Sequence, residues 1–208
     1  MNHGDAAVAP AEPSREGYTF TGWDKEFTNV TSDLTVKAEY KIKTYTVTFV
    51  DYDGTEISVQ TVNHGGTLEE PNQPERLGYE FLYWYFEVDG EEFVLDFNIL
   101  ITEDLTVFAK YQALTFTVSF FANDGLEREN GDLESITVIF DQPYANLPEV
   151  TLQDHEFIGW FTTLLGGELV TESTLVEIAE DHTLYARWRA LWPTPYSVEF
   201  VANGGELN

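Results

Sequence analysis

Three short signatures recur along the chain in a fixed order, and a chain that repeats itself is restricted to small units of one fold placed in tandem. The opening signature is Tyr45-Thr46-Val47-Thr48-Phe49, before Asp51-Tyr52-Asp53-Gly54. It returns as Phe116-Thr117-Val118-Ser119-Phe120 before Asn123-Asp124-Gly125, and as Tyr196-Ser197-Val198-Glu199-Phe200 before Asn203-Gly204-Gly205. The central signature is Gly17-Tyr18-Thr19-Phe20-Thr21-Gly22-Trp23, then Gly78-Tyr79-Glu80-Phe81-Leu82-Tyr83-Trp84, then His155-Glu156-Phe157-Ile158-Gly159-Trp160. The closing signature runs Ser32-Asp33-Leu34-Thr35-Val36-Lys37-Ala38-Glu39-Tyr40, then Glu103-Asp104-Leu105-Thr106-Val107-Phe108-Ala109-Lys110-Tyr111, then Glu180-Asp181-His182-Thr183-Leu184-Tyr185-Ala186-Arg187-Trp188.

The order divides the chain into residues 1–43, the C-terminal part of a first repeat; 44–111 and 112–188, two complete repeats; and 189–208, a linker with the opening strand of a fourth. Asn2-His3-Gly4 matches Asn63-His64-Gly65, and Pro10, Pro13, Gly17 and Trp23 match Pro71, Pro74, Gly78 and Trp84, all at an offset of 61. In the third repeat Asp141-Gln142-Pro143 is set against His64-Gly65-Gly66. Both ends are therefore expected to be cuts within a longer array. The second and third repeats carry inserts, Tyr85–Phe97 and Phe161–Ser173, where length variation marks a loop or an extra hairpin. Ala190-Leu191-Trp192-Pro193-Thr194-Pro195 reads as a linker stiffened by proline.

Val47 and Phe49 alternate with Thr46 and Thr48, the period of a half-buried strand. Gly22 and Gly159 interrupt their strands just before tryptophan and suggest a bulge or a close backbone approach. Asp53-Gly54, Asp124-Gly125 and Asn203-Gly204 read as hairpin turns leading to second strands Ile57–Val62 and Ile136–Phe140. Glu69–Leu77 and Leu147–Gln153 carry proline without periodicity, so each is either one short helical turn or a crossover loop. The expected class is mostly β, α+β at most: tandem small β-grasp-like repeat domains in an elongated array, with a small β-sandwich as the alternative.

Acidic residues number 37 against 10 basic ones, a net charge of −27. Each complete repeat carries 14 acids and 2 bases, so each is −12. Like-charged repeats repel, which favours extension. The charge also argues against nucleic acid and anionic membrane as partners. No apolar run reaches the roughly 18 residues of a membrane span. Met1–Asp5 lacks the basic and apolar regions of a signal peptide, so an export signal is expected outside this sequence. There is no cysteine, which removes disulfides, thiolate nucleophiles and Cys-ligated zinc.

No catalytic, cofactor-binding or metal-ligating residue is assigned. The four histidines, His3, His64, His155 and His182, form no metal or catalytic motif and read as structural or solvent-exposed. Carboxylate pairs such as Glu69/Glu70 and Glu91/Glu92 follow from the acidic composition rather than from a cleft. Asp51-x-Asp53-Gly54-x-Glu56 is a calcium candidate, but it lacks the full ligand run of an EF-hand and reads first as a hairpin turn. Asp89-Gly90-Glu91-Glu92 reads as a solvated hairpin tip. The third repeat contains no lysine, which excludes an isopeptide crosslink in every repeat. Tyr83, Tyr85, Phe86 and Trp192 read first as packing within or between repeats, with stacking on sugars or anchoring a protein as the alternative.

The three signatures together resemble the Listeria–Bacteroides repeat, the family that includes the B repeat of internalin B. The resemblance covers nearly the whole chain. It departs at His155, where Gly-Tyr is lost, and at Tyr83, which replaces the glycine before Trp84. It implies a β-grasp-like fold, tandem arrangement, an extracellular place on a bacterial surface or in secreted form, and adhesion or host contact, with no shared catalytic residue and no cofactor. The expected function is an adhesive or structural stalk, not an enzyme. The alternative is a module that binds host protein or glycan through the aromatic inserts. Strand Tyr196–Val201 of one molecule is also expected to exchange into the half repeat Met1–Tyr40 of another.

Overall fold

The computed structural model describes residues 2–123 and 133–191. The linker from Trp192, strand Tyr196–Val201 and the turns at Asp124-Gly125 and Asn203-Gly204 lie outside the described residues. Among the described residues there are twelve strands and no helix. Two compact units are present: Met1–Arg76 with Glu80–Gln112, and Leu77–Tyr79 with Ala113–Asn208.

Unit 1 begins with a two-stranded sheet, β1 (Tyr18–Trp23) against β2 (Ala38–Ile42). A five-stranded sheet follows, built from β3 (Thr44–Val50), β4 (Glu56–Asn63), β5 (Tyr79–Val88), β6 (Glu91–Val94) and β7 (Leu105–Ala113) in the order β4-β3-β7-β5-β6. The opening strand β3 is antiparallel to β4 and parallel to β7, with Val47 beside Leu105 and Val50 beside Phe108. Unit 2 has the same plan, β8 (Thr115–Phe121), β9 (Ile136–Ile139), β10 (His155–Phe161), β11 (Leu169–Val170) and β12 (His182–Ala190) in the order β11-β10-β12-β8-β9. Second, opening, closing and central strands lie side by side, which is the β-grasp order. The crossover that reaches the central strand contains no helical turn, so of the two sequence readings the loop holds.

Each sheet buries one face. Val47 and Phe49 of β3, Val62 of β4, Trp84 of β5 and Val107 and Ala109 of β7 meet under Leu68 of the crossover, Leu95 of the insert and Ile101 beyond it. In unit 2, Val118 and Phe120, Trp160, Leu184 and Ala186 do the same under Tyr144, Val170 and Val176. The high aromatic content has a packing reason. Phe49 meets Trp84 edge-on at 5.1 Å, and Phe120 meets Trp160 at 4.8 Å. Such pairs add about 0.5–1.5 kcal/mol beyond the area they bury, which a core this small needs.

The glycine bulges are present: register shifts between Phe20 and Gly22 and between Phe157 and Gly159, at φ 144° and 145°. The aspartate of the closing signature has a backbone task. Asp104 Oδ1 accepts the Thr46 N–H at 2.8 Å, and Asp181 Oδ1 accepts the Thr117 N–H at 2.7 Å. Each caps a donor just before the parallel ladder starts, where a strand N–H would otherwise go unpaired.

Candidate interaction surfaces

The insert of the second repeat extends β5 into a hairpin with β6, pairing Tyr85 with Val94 and Val88 with Glu91. Its tip is Asp89-Gly90, with φ of 54° and 83° at successive residues. That pair matches the twist of antiparallel strands. Tyr83 and Tyr85 lie on the outer face of the sheet. The Tyr83 hydroxyl donates to Glu92 at 3.0 Å, Lys110 Nζ donates to Glu92 at 2.7 Å, and Tyr85 packs on Phe108 at 5.5 Å with Lys110 above it at 5.2 Å. The hydrogen bond from Lys110 holds the Glu92 carboxyl below its usual range, while the bond to Glu92 pushes Tyr83 up. Phe86 faces the other way. It packs against the core and stacks on Phe93 at 5.8 Å, so it is a core residue rather than a surface anchor.

The third repeat carries the same outer ladder at equivalent places, on a different insert. Phe161 lies under the Arg187 guanidinium at 3.8 Å, and Tyr185 meets the half-exposed Phe121 at 5.9 Å. The insert turns through Gly166 and Gly167, and only Leu169 and Val170 return as strand. An aromatic ladder crossed by one cation thus recurs on both sheets of a strongly acidic chain.

The acidic turn after β3 is engaged in its own fold. Asp51 Oδ1 accepts the Tyr111 hydroxyl at 2.6 Å and the Tyr52 N–H at 2.8 Å, and Asp53 Oδ1 accepts the Thr55 N–H at 2.9 Å. Burial first, and then the bond to Asp51, push the Tyr111 hydroxyl well above the ordinary tyrosine range. Among the described residues no three His, Asp or Glu side chains are placed to hold a metal ion.

The histidines have separate surroundings. His182 bridges the Tyr144 hydroxyl at 2.7 Å and the Glu180 carbonyl at 2.9 Å, and His155 lies 2.9 Å from the Gln153 carbonyl. His64 lies beside Tyr45 at 5.9 Å, with its Nδ1 buried and without a hydrogen-bond partner. His3 is exposed.

A groove of about 430 Å³ opens in the first repeat, lined by Val8, Pro10, Trp23, Phe27, Leu34 and Val36 among others. It lies over Trp23, where the two complete repeats seat Phe49 on Trp84 and Phe120 on Trp160. Strand β2 pairs with β1 alone, whereas β7 and β12 each have a parallel neighbour as well.

Backbone bonds also align the repeats. Gly65 N–H reaches the Ile101 carbonyl and Ile101 N–H the Gly66 carbonyl; Asp141 and Gln142 make the same pair with Val176, as Gly4 and Asp5 do with Val30. Gly65 is therefore matched by Asp141, and His64 by Phe140. The sequence alignment of Asp141-Gln142-Pro143 with His64-Gly65-Gly66 was one residue out.

Two complete connections are seen inside the units. A single residue, Lys43, separates β2 from β3; its N–H donates to the Gly17 carbonyl and its carbonyl accepts the His64 N–H, both at 2.8 Å. In unit 2, Leu114 N–H donates to the Gly78 carbonyl and the Leu114 carbonyl accepts the Phe140 N–H, both at 2.9 Å.

The family model for the Listeria–Bacteroides repeat domain matches residues 1–43, 45–110 and 116–187. A protein named "Putative membrane protein" of Evansella cellulosilytica is 33 % identical over 190 residues, 86 % of this chain and 28 % of its own length. A "Putative Gly-rich membrane protein" of the same organism is 31 % identical over 92 % of this chain and 23 % of its length. Internalin H of Listeria monocytogenes is 40 % identical over 87 residues, 36 % of this chain and 16 % of its length. The chain thus spans less than a third of each of these relatives.

Proposed function

Because this chain belongs to the Listeria–Bacteroides repeat family, we propose that it is a non-catalytic stretch of a bacterial cell-surface protein, acting as an adhesive or structural stalk. The observation that carries this reading is the joint between repeats inside unit 1. One residue links them, and both its polar backbone groups are bonded, one to each side. A joint of that kind places the next repeat without a flexible linker. Charge supports the same reading, since repeats of −12 each repel one another and resist collapse. The relatives named as membrane proteins and an internalin support a surface location.

The test is to label intact cells of the source organism with antibodies against residues 44–188, and to repeat it after external protease. Labelling that protease removes is the expected result. Antigen confined to the cell interior would overturn the proposal. A second reading, a binding module, is favoured by the outer ladders at Tyr85/Phe108/Lys110 and Phe161/Tyr185/Arg187. Replacing Tyr85 and Phe161 by alanine separates the two, since a spacer keeps cell adhesion and a binder loses it.

A further inference from the structure

Two left-handed backbone positions recur in every repeat. The first holds Gly4, Gly65 and Asp141, at φ 88°, 75° and 61°. The second precedes the central strand and holds Gly17, Gly78 and Asp154, at φ 73°, 77° and 59°. Asp141 and Asp154 demonstrate that the conformation alone does not demand glycine here, since aspartate tolerates it at modest expense.

Space does demand it. A Cβ on Gly17 would lie 2.0 Å from His64 Cδ2, and a Cβ on Gly78 would lie 2.4 Å from the Phe140 ring. At Gly54, Gly65 and Gly90, with φ of 85°, 75° and 83°, an added Cβ would meet nothing within 4 Å. The two rings cannot swing away freely. His64 is backed by Tyr45 at 5.9 Å, and Phe140 is boxed by Tyr79 at 5.6 Å and Phe116 at 6.4 Å. Both rings belong to the residue that follows a second strand, and both residues donate their N–H into the junction.

We propose that Gly17 is a socket for the His64 ring of the following repeat, a ring-on-glycine lock that stiffens the junction inside unit 1, that Gly78 seats the Phe140 ring in the same way within unit 2, and that Asp154 offers no such seat. The partner that the socket fits is another copy of the same repeat, with a flat side chain immediately after its second strand. At Asp154 the backbone bond persists, with Leu191 N–H on the Asp154 carbonyl at 2.8 Å, but the residue carries a Cβ where Gly17 and Gly78 have none. A repeat thus offers a ring seat where this position is glycine and none where it is aspartate. His64 Nδ1 has no hydrogen-bond partner, so its ring is held there by packing. The inference does not depend on the stalk reading.

The experiment is a double-mutant cycle between Gly17→Ala and His64→Ala, read by amide exchange at positions 43 and 64, with Gly54→Ala as the control for backbone strain. With His64 present, Gly17→Ala is expected to speed exchange at both junction amides about tenfold or more, from forced overpacking. With His64→Ala, the same change should shrink to the effect that Gly54→Ala has on its own turn. An equal effect of Gly17→Ala in both backgrounds would overturn the lock. Should Gly17→Ala prove unfolded, His64→Ala alone serves instead, since it empties the socket without adding an atom; faster exchange at position 43 supports the lock, and unchanged exchange overturns it.

Discussion

Trp84 and Trp160 hold the same place in two repeats, are equally buried, and differ in one atom's surroundings. Trp160 Nε1 donates to the Pro148 carbonyl at 3.0 Å, whereas Trp84 Nε1 is buried with no partner. Replacing either by phenylalanine removes similar apolar surface, for a shared loss of roughly 1–2 kcal/mol. At 160 the change also deprives a carbonyl of its donor, which adds about 1–3 kcal/mol. At 84 it deletes a buried donor that already lacks an acceptor, which returns a comparable amount. Trp160→Phe should therefore destabilise unit 2 by about 3 kcal/mol, while Trp84→Phe should leave unit 1 within about 1 kcal/mol of its starting stability. Two units need not unfold together, so one melting curve is the wrong readout. Native-state hydrogen exchange at Val47 and Val107, against Val118 and Leu184, resolves them. Equal losses in the two units, or a larger loss at Trp84, would refute the reasoning.

Tyr111 supplies a pH prediction: its folded pKa is raised, so the fold favours the protonated phenol, and the stability it contributes is complete below the unfolded value of about 10 and lost as pH climbs past it. Unit 1 should lose stability between pH 10 and the folded pKa, and Tyr111→Phe should remove that slope in alkaline urea titrations; an unchanged slope would assign it to other groups. The groove over Trp23 supplies another: exchange of Tyr196–Val201 into it predicts growth of the particle with concentration in light scattering, abolished by Val198→Glu or by Trp23→Glu. A monomer at all concentrations would count against exchange.

The strands were legible because Val47 and Phe49, or Tyr18 and Phe20, alternate in the way a one-faced sheet requires. Gly22 and Gly159 announced their bulges, and Asp53-Gly54 its turn. The inward set of β5 is harder to read, since Tyr83 stands where the other repeats have glycine. Strict alternation from Phe81 would turn Tyr83 and Tyr85 inward and Phe86 outward; instead Phe81, Trp84 and Phe86 all pack on the core, so the phase changes between Phe81 and Trp84. The outer ladder is half legible, since Tyr83 and Tyr85 stand out in the sequence but their partners Phe108 and Lys110 come from β7, a strand distant in sequence. The ring sockets were not legible at all. A glycine needed for space looks in sequence like one needed for φ, and the one-residue misalignment at Asp141 hid the equivalence of Phe140 and His64.

The parallel pairing at the centre of each sheet decides how a repeat would carry tension. The chain enters the second repeat at Thr44, the start of β3, and leaves it along β7 after Tyr111. In a parallel pair those points lie at opposite ends of the shared ladder, which runs from Val47 beside Leu105 to Val50 beside Phe108. Pulling on them slides one strand along the other, so the ladder bonds are strained together in shear. An antiparallel hairpin pulled at its open end gives way one bond at a time. The same arrangement holds for β8 and β12. A domain loaded in this way resists through its unfolding rate rather than its equilibrium stability, so a small core with modest thermodynamic margin can still bear a sustained pull.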